Sequence, residues 1–184
     1  MKKMFLVAPL FYFYTSPLFS QPRNEINNSS KQNNNSLSAA LKMPVGNFSA
    51  THFIGLGIDY SPTRHWFGVL NHKRISFTYN GGIAYYMGKK EIVSSYRYKY
   101  PGYLFIHGFG GLFYNPVKNA GITLTAGPAL GIYNGTTEFN LGSKLELSYY
   151  INKQVAIGPG ILLMKEPGTA SLWEAMIKAT LVIK

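Results

Sequence analysis

Over residues 121–150 hydrophobic and polar positions alternate twice, with an Asn134-Gly135 turn pair between the two runs. In the first run Ile122, Leu124, Ala126, Leu130 and Ile132 share one parity, and Thr123, Thr125, Gly127, Ala129 and Gly131 take the other. In the second, Phe139, Leu141, Leu145, Leu147 and Tyr149 oppose Asn140, Gly142, Lys144, Glu146 and Ser148. A period of two sustained over about a dozen residues defines strands. The pattern recurs and predicts eight of them, at 37–43, 52–60, 74–87, 103–114, 121–133, 139–150, 155–164 and 171–183. Turn residues separate them, among them Pro44 to Asn47, Ser61-Pro62, Asn115-Pro116 and Pro167-Gly168. No helical period competes, and eight successive strands with mostly short links predict an antiparallel up-and-down barrel. On the fourth strand parity is less legible, because Tyr103, Phe105, His107 and Phe109 oppose Leu104, Ile106, Gly108, Gly110 and Leu112, so either face suits lipid.

Parity alone does not say which face lines the interior. Strands of about 9 to 11 residues, apolar outside and polar inside, suit a bilayer-spanning barrel. A soluble barrel turns the same apolar face inward. The start of the chain arbitrates: Lys2 and Lys3 precede an apolar stretch over residues 4–14, and Ser20 offers a small residue before Gln21. This is the layout of a secretory signal peptide over residues 1–20, too short and too interrupted by Pro9 and Pro17 to be a membrane helix of about 20 residues. Residues 21–36 hold one Ile among Asn, Ser and Gln and predict a disordered lead-in. Residues 37–184 are then one barrel domain.

Composition sharpens this picture. The chain is 15% aromatic but only 14% charged, unusual for a soluble domain, and after residue 20 it has no apolar run long enough for a membrane helix. The charges lying inside strands on the polar parity are Lys42, Asp59, Lys144, Glu146, Glu174 and Lys178, three of each sign in a chain of net charge +11. On a soluble barrel these six decorate the surface. In a membrane barrel they crowd the lumen, where a low dielectric demands pairing.

The first-strand segment at 41–48, the signal ending at Ser20-Gln21, and the related stretches at 126–131 (AGPALG) and 156–160 (AIGPG) resemble small Gram-negative outer-membrane barrels of the eight-stranded OmpA/OmpX-like, porin-like type. The resemblance implies an all-β, eight-stranded antiparallel up-and-down transmembrane β-barrel in the outer membrane, with function variable inside the family. The chain departs from that type in ending Leu181-Val182-Ile183-Lys184 rather than on an aromatic, and in the length of the 61–73 connection. Tyr60, Trp66, Phe67, Tyr85, Tyr86, Tyr114, Tyr133, Tyr149, Tyr150 and Trp173 gather near strand ends, where membrane interfaces favour them.

Catalytic signals are sparse. His52, His65, His72 and His107 have no metal spacing, there is no Cys, and no nucleophile elbow or phosphate-binding loop occurs, so neither metal nor cofactor is expected. Ser49 and His52 are close in the first outer loop, but no acid neighbours them in sequence, and two ordinary polar loop residues are the expectation. Export argues against nucleic acid as the partner of the basic excess. The connection at 88–102 carries Lys89, Lys90, Arg97 and Lys99 against Glu91, with Tyr96, Tyr98 and Tyr100 alternating among the later cations. It predicts a hairpin extending past the bilayer, solvated at headgroup level or holding lipopolysaccharide phosphates through those four cations. The expected protein is a monomeric barrel with a side-chain-filled lumen, touching outer-membrane lipids, in a structural or surface-interaction role without catalysis. An outer-membrane lipid-modifying enzyme and a soluble periplasmic barrel with a small apolar ligand are the alternatives.

Overall fold

A computed structural model describes residues 34–64, 75–93, 96–117, 119–165 and 171–183. The expected signal peptide, most of the lead-in, Trp66, Phe67 and the body of the long 61–73 connection lie outside the described residues. The eight barrel strands are β1 (Asn34–Val45), β2 (His52–Arg64), β3 (Ile75–Gly88), β6 (Tyr103–Val117), β7 (Ala120–Tyr133), β8 (Thr136–Tyr150), β9 (Val155–Lys165) and β10 (Leu172–Ile183). A short helix, α1 (Asn47–Thr51), joins β1 to β2, and a hairpin of β4 (Lys90–Val93) and β5 (Tyr96–Lys99) is inserted between β3 and β6. β1 begins ahead of the expected start at Leu37, because Asn35 already pairs with Ile183 and Ser36 with Val182.

The sheet closes in the order β1-β10-β9-β8-β7-β6-β3-β2, with every neighbour antiparallel and β1 paired to both β10 and β2. Closure removes both sheet edges, so every strand finds two backbone partners, as a membrane interior requires. Asn134 and Gly135 both take positive φ (49° and 80°), the conformation of the tight hairpin turn that their sequence favours. Among the described residues no helix is long and apolar enough to cross a membrane.

The apolar parity faces outward. Leu56, Leu124, Leu145, Ile161 and Ile177 stand exposed around the middle of the wall, while Lys42, Asp59, Lys144, Glu146 and Glu174 are buried inside it. That inverts a soluble barrel. Phe53, Tyr85, Phe139 and Trp173 ring the wall near the rim that carries α1 and the hairpin, and Tyr60, Tyr79, Tyr114 and Tyr149 ring it near the opposite rim. Phe139 and Tyr149 lie ten residues apart on β8. At about 3.4 Å per residue and a tilt of about 40° they span about 26 Å, close to the apolar height of such barrels.

The interior has two zones. Toward the α1 rim, Phe48, Tyr86, Tyr103, Phe105, Phe109, Leu162, Met164 and Met176 form an apolar cluster. The ambiguity on the fourth predicted strand resolves here: Tyr103, Phe105, His107 and Phe109 of β6 point in, and Ile106 and Leu112 point out. Glycines make room for the rings, since a Cβ on Gly142 would lie 2.6 Å from Phe109 Cζ and one on Gly55 would lie 2.5 Å from Tyr86 Cδ1.

Candidate functional site

Two groups of residues outside the plain barrel wall can carry function: the charge network in the lumen and the basic hairpin above the rim. All six strand charges lie in the interior and each has an opposite charge in reach. Lys42 Nζ is 2.9 Å from Glu174 Oε1, joining β1 to β10. Lys144 Nζ is 3.1 Å from Asp59 Oδ2 and 3.3 Å from Glu146 Oε1, while Lys178 Nζ lies 2.6 Å from that same Glu146 oxygen. Glu146 therefore serves two lysines, and Lys144 two carboxylates.

Neutral groups extend this network. Lys144 also donates to Asn80 Oδ1, and His107 Nε2 donates to the same oxygen at 2.8 Å while standing 3.5 Å from Asp59 Oδ1. Asn80 Nδ2 in turn donates to Ser61 Oγ at 2.7 Å. Lys42 is also held 5.8 Å from the Phe105 ring centre, where the charged and apolar zones meet. His107 and Asn80 are members that parity placed on no decisive face or gave no role. Their signal in the sequence is faint: each is a polar residue of inward parity between two residues of opposite parity.

Ser49 and His52 do not form a reactive pair. Ser49 Oγ donates to the Gly46 carbonyl at 2.6 Å, and His52 Nδ1 shares a hydrogen bond with Thr51 Oγ1 at 2.8 Å. A register shift between His52 and Gly55 turns His52 into the mouth of the barrel, against the strict parity of β2. There its ring packs 4.7 Å from Phe48 and 5.9 Å from Tyr103, centre to centre. Among the described residues no cluster of three or more His, Asp and Glu side chains is arranged to hold a metal ion.

The hairpin sorts its side chains by face. Lys90 is directly opposite Lys99 and Ile92 opposite Arg97, so these four share one face. Glu91, opposite Tyr98, shares the other with Tyr98 and Tyr96. On that second face Tyr100 donates its hydroxyl to Glu91 Oε2 at 2.9 Å and meets the Tyr98 ring edge-on at 4.8 Å. The bond to Glu91 holds the Tyr100 phenol above the ordinary tyrosine range. Lys89 stands apart from the other three cations: its Nζ donates to the Ser49 carbonyl and lies 6.0 Å from the Phe53 ring.

Eight antiparallel strands, an apolar outer wall between two aromatic rings and a packed lumen holding a buried charge network define a transmembrane β-barrel of the outer-membrane type. Solved structures of that type share the fold. The chain resembles Ail, the attachment invasion locus protein of Yersinia pestis, with a TM-score of 0.54 at 8% identity, covering 82% of this chain and 99% of that one. It resembles the N-terminal β-barrel domain of Pseudomonas aeruginosa OprF with a TM-score of 0.52 at 11% identity, covering 84% of this chain and all of that one (100%). The outer membrane enzyme PagL gives a TM-score of 0.52 at 11% identity, covering 80% and 99%. No family model matches the chain, and no curated protein matches it in sequence.

Proposed function

We propose that the protein is an exported, monomeric outer-membrane barrel, with residues 1–20 as its signal peptide, that contacts outer-leaflet lipopolysaccharide through its basic hairpin and performs no catalysis. One observation carries this reading. Lys90 and Lys99 face each other directly across β4 and β5, with Arg97 on the same exposed face, while Glu91 stands on the opposite face, bonded to Tyr100. Like charges opposed on a sheet repel, and an external anion relieves that repulsion. Lipopolysaccharide phosphates at the membrane surface supply one. Ail, which shares the fold, has been solved in complex with the heparin analogue sucrose octasulfate, itself a polyanion. In the lumen, Lys42, Asp59, Lys144, Glu146, Glu174 and Lys178 act as a structural clasp between neighbouring and opposite strands.

Against an enzyme stand the hydroxyl of Ser49, committed to a backbone carbonyl, and the burial of His52 among aromatic rings. Lipid A mass spectra from cells with and without the gene test this point, and identical spectra are expected. The binding test compares lipopolysaccharide affinity of the refolded barrel with that of a variant in which Lys89, Lys90, Arg97 and Lys99 are all changed to Gln. Weaker, salt-insensitive binding by the variant is expected. Equal affinity, or no salt dependence in the parent, refutes the contact. Heat-modifiable gel migration in the outer-membrane fraction tests the location.

A further inference from the structure

Immediately beneath the hairpin the outer wall is notched. The notch is a cleft of about 380 Å³ between the end of β3, with Tyr85, Met87 and Gly88, and the return from the hairpin, with Lys99, Pro101 and Gly102. Its shape depends on two glycines. A Cβ on Gly88 would lie 1.9 Å from the Tyr100 carbonyl oxygen, and one on Gly102 would lie 2.1 Å from the Tyr85 hydroxyl. Without side chains at these positions the returning strand closes onto the wall and the Tyr85 phenol reaches up beside Gly102. Between the Tyr86–Tyr103 pair of the barrel and the Lys90–Lys99 pair of the hairpin the two strands stay joined by the Tyr100 N–H, which donates to the Lys89 carbonyl at 2.9 Å.

The lining is divided by chemistry. Tyr85 and Met87 are the last outward residues of β3, about half exposed, and they continue the column of Ile83 on the lipid-facing wall. Lys99 borders the cleft from the hairpin above, beside Tyr100. Apolar surface below, a phenol at mid-height and an ammonium above reproduce the order of acyl chain, interface and phosphate in a membrane leaflet.

We infer that this cleft seats one phosphate group of lipid A, with Lys99 paired to the phosphate and the adjoining acyl chain lying over Met87 and Tyr85. This rests on the reading of the hairpin given above and narrows it from a charged face to a built seat. A hydrated free phosphate has no use for the half of the lining made by Tyr85 and Met87. Lys90 and Arg97 share the face of Lys99 but do not line the cleft, so they add attraction at longer range without defining the seat.

The test uses the refolded full barrel in neutral detergent micelles, with native mass spectrometry reading bound lipid A and with inorganic phosphate and phosphatidylcholine as counter-probes. Three variants separate the contributions: Lys99→Gln removes the cation, Met87→Trp fills the floor without changing charge, and Lys90→Gln with Arg97→Gln strips the face outside the cleft. The parent is expected to retain one lipid A per barrel. Lys99→Gln and Met87→Trp should each weaken that retention about tenfold, the loss of one charge-assisted contact or of its equivalent in packing. The double variant should lose salt-dependent affinity but keep the one-to-one complex. Gel migration before and after heating checks that each variant is folded, and Met87→Phe replaces Met87→Trp should the larger ring prevent folding. Unchanged retention in both cleft variants overturns the seat, and the hairpin-face reading survives if the double variant alone weakens binding. No effect in any variant overturns both. Equal retention of phosphatidylcholine, or displacement of lipid A by inorganic phosphate at equal concentration, overturns the choice of ligand.

Discussion

Lys144 on β8 meets Asp59 on β2 across the full width of the barrel, Nζ to Oδ2 at 3.1 Å. In the closed order β2 and β8 are opposite one another, four strand steps apart in either direction. An eight-stranded barrel is just narrow enough for side chains to bridge that span. Lys144 therefore ties opposite walls together, whereas Lys42 and Glu174 tie adjacent ones. The two pairs differ in redundancy, because Lys144 also reaches Glu146 while Glu174 is the ion-pair partner of Lys42.

Removing Glu174 leaves a fully buried Lys42 without its counter-charge. Glu174→Ala should cost about 3 to 5 kcal/mol, the usual penalty for stranding a buried charge. Asp59→Ala should cost less, since Lys144 keeps Glu146. Replacing both Lys42 and Glu174 by Met should recover most of the loss, because the pair as a whole offsets its own desolvation only approximately. Urea unfolding of the refolded barrel in lipid vesicles reads all three. A double variant as unstable as Glu174→Ala would contradict this account.

Parity read the outer wall well because its two faces differ in chemistry on most strands. It decides nothing where the lumen is itself apolar: on β6 both faces are greasy, and on β9 Leu162 and Met164 point inward beside Ile161 pointing out. What settles β6 is volume inside the lumen, with Phe109 filling the space left by Gly142 two strands away on β8. Two residues so far apart in sequence give no local sign of that match. The bulge that turns His52 inward and the short helix carrying Phe48 were illegible for the same reason, being set by packing at the mouth. The match makes its own prediction. Gly142→Val should destabilise by about 1 to 3 kcal/mol through overpacking. Phe109→Leu in the same chain should recover part of it, and a double-mutant cycle measures the coupling.

On the outer wall the cost of charge should depend on depth. Leu145 stands near the middle of β8 with 44% of its surface exposed, between Leu141 and Leu147. Leu145→Arg should cost about 2 to 4 kcal/mol in a bilayer, and Ile183→Arg, at the end of β10, about 0 to 1 kcal/mol. Refolding equilibria in vesicles give both values. Equal costs would mean that the wall does not face a bilayer.

Above the membrane, Tyr100 reports the hairpin. Its hydroxyl donates to Glu91, which stabilises the neutral phenol and raises its pKa. A group whose folded pKa is raised contributes stability that is complete below its unfolded value, about 10, and is lost as pH rises through the folded value. The hairpin should therefore hold at neutral pH and loosen only in strong alkali. Glu91→Gln should bring the titration of Tyr100 back toward the ordinary tyrosine range, followed by the NMR shift of its ring carbon. An unchanged titration would mean that the bond is not formed in solution.

The filled bore should be electrically silent. A permeating ion entering at the α1 rim first meets Phe48, whose ring lies 5.0 Å from Tyr86 and 5.5 Å from Tyr103 and closes the mouth. α1 is itself fastened to the base of the hairpin, where the Lys89 backbone N–H donates to the Thr51 carbonyl at 2.8 Å. Below lies the apolar zone of Phe105, Phe109, Leu162, Met164 and Met176, which offers an ion no replacement for its water. Deeper still, the charges are spent on one another. In planar bilayers the parent should show no steady conductance, and Phe48→Ala alone should stay closed because the second layer remains. Phe48→Ala combined with Phe105→Ala and Phe109→Ala should produce brief openings, since the glycines facing those rings leave nothing to refill the space. A parent that conducts at all voltages would show that the interior packing does not persist in the bilayer.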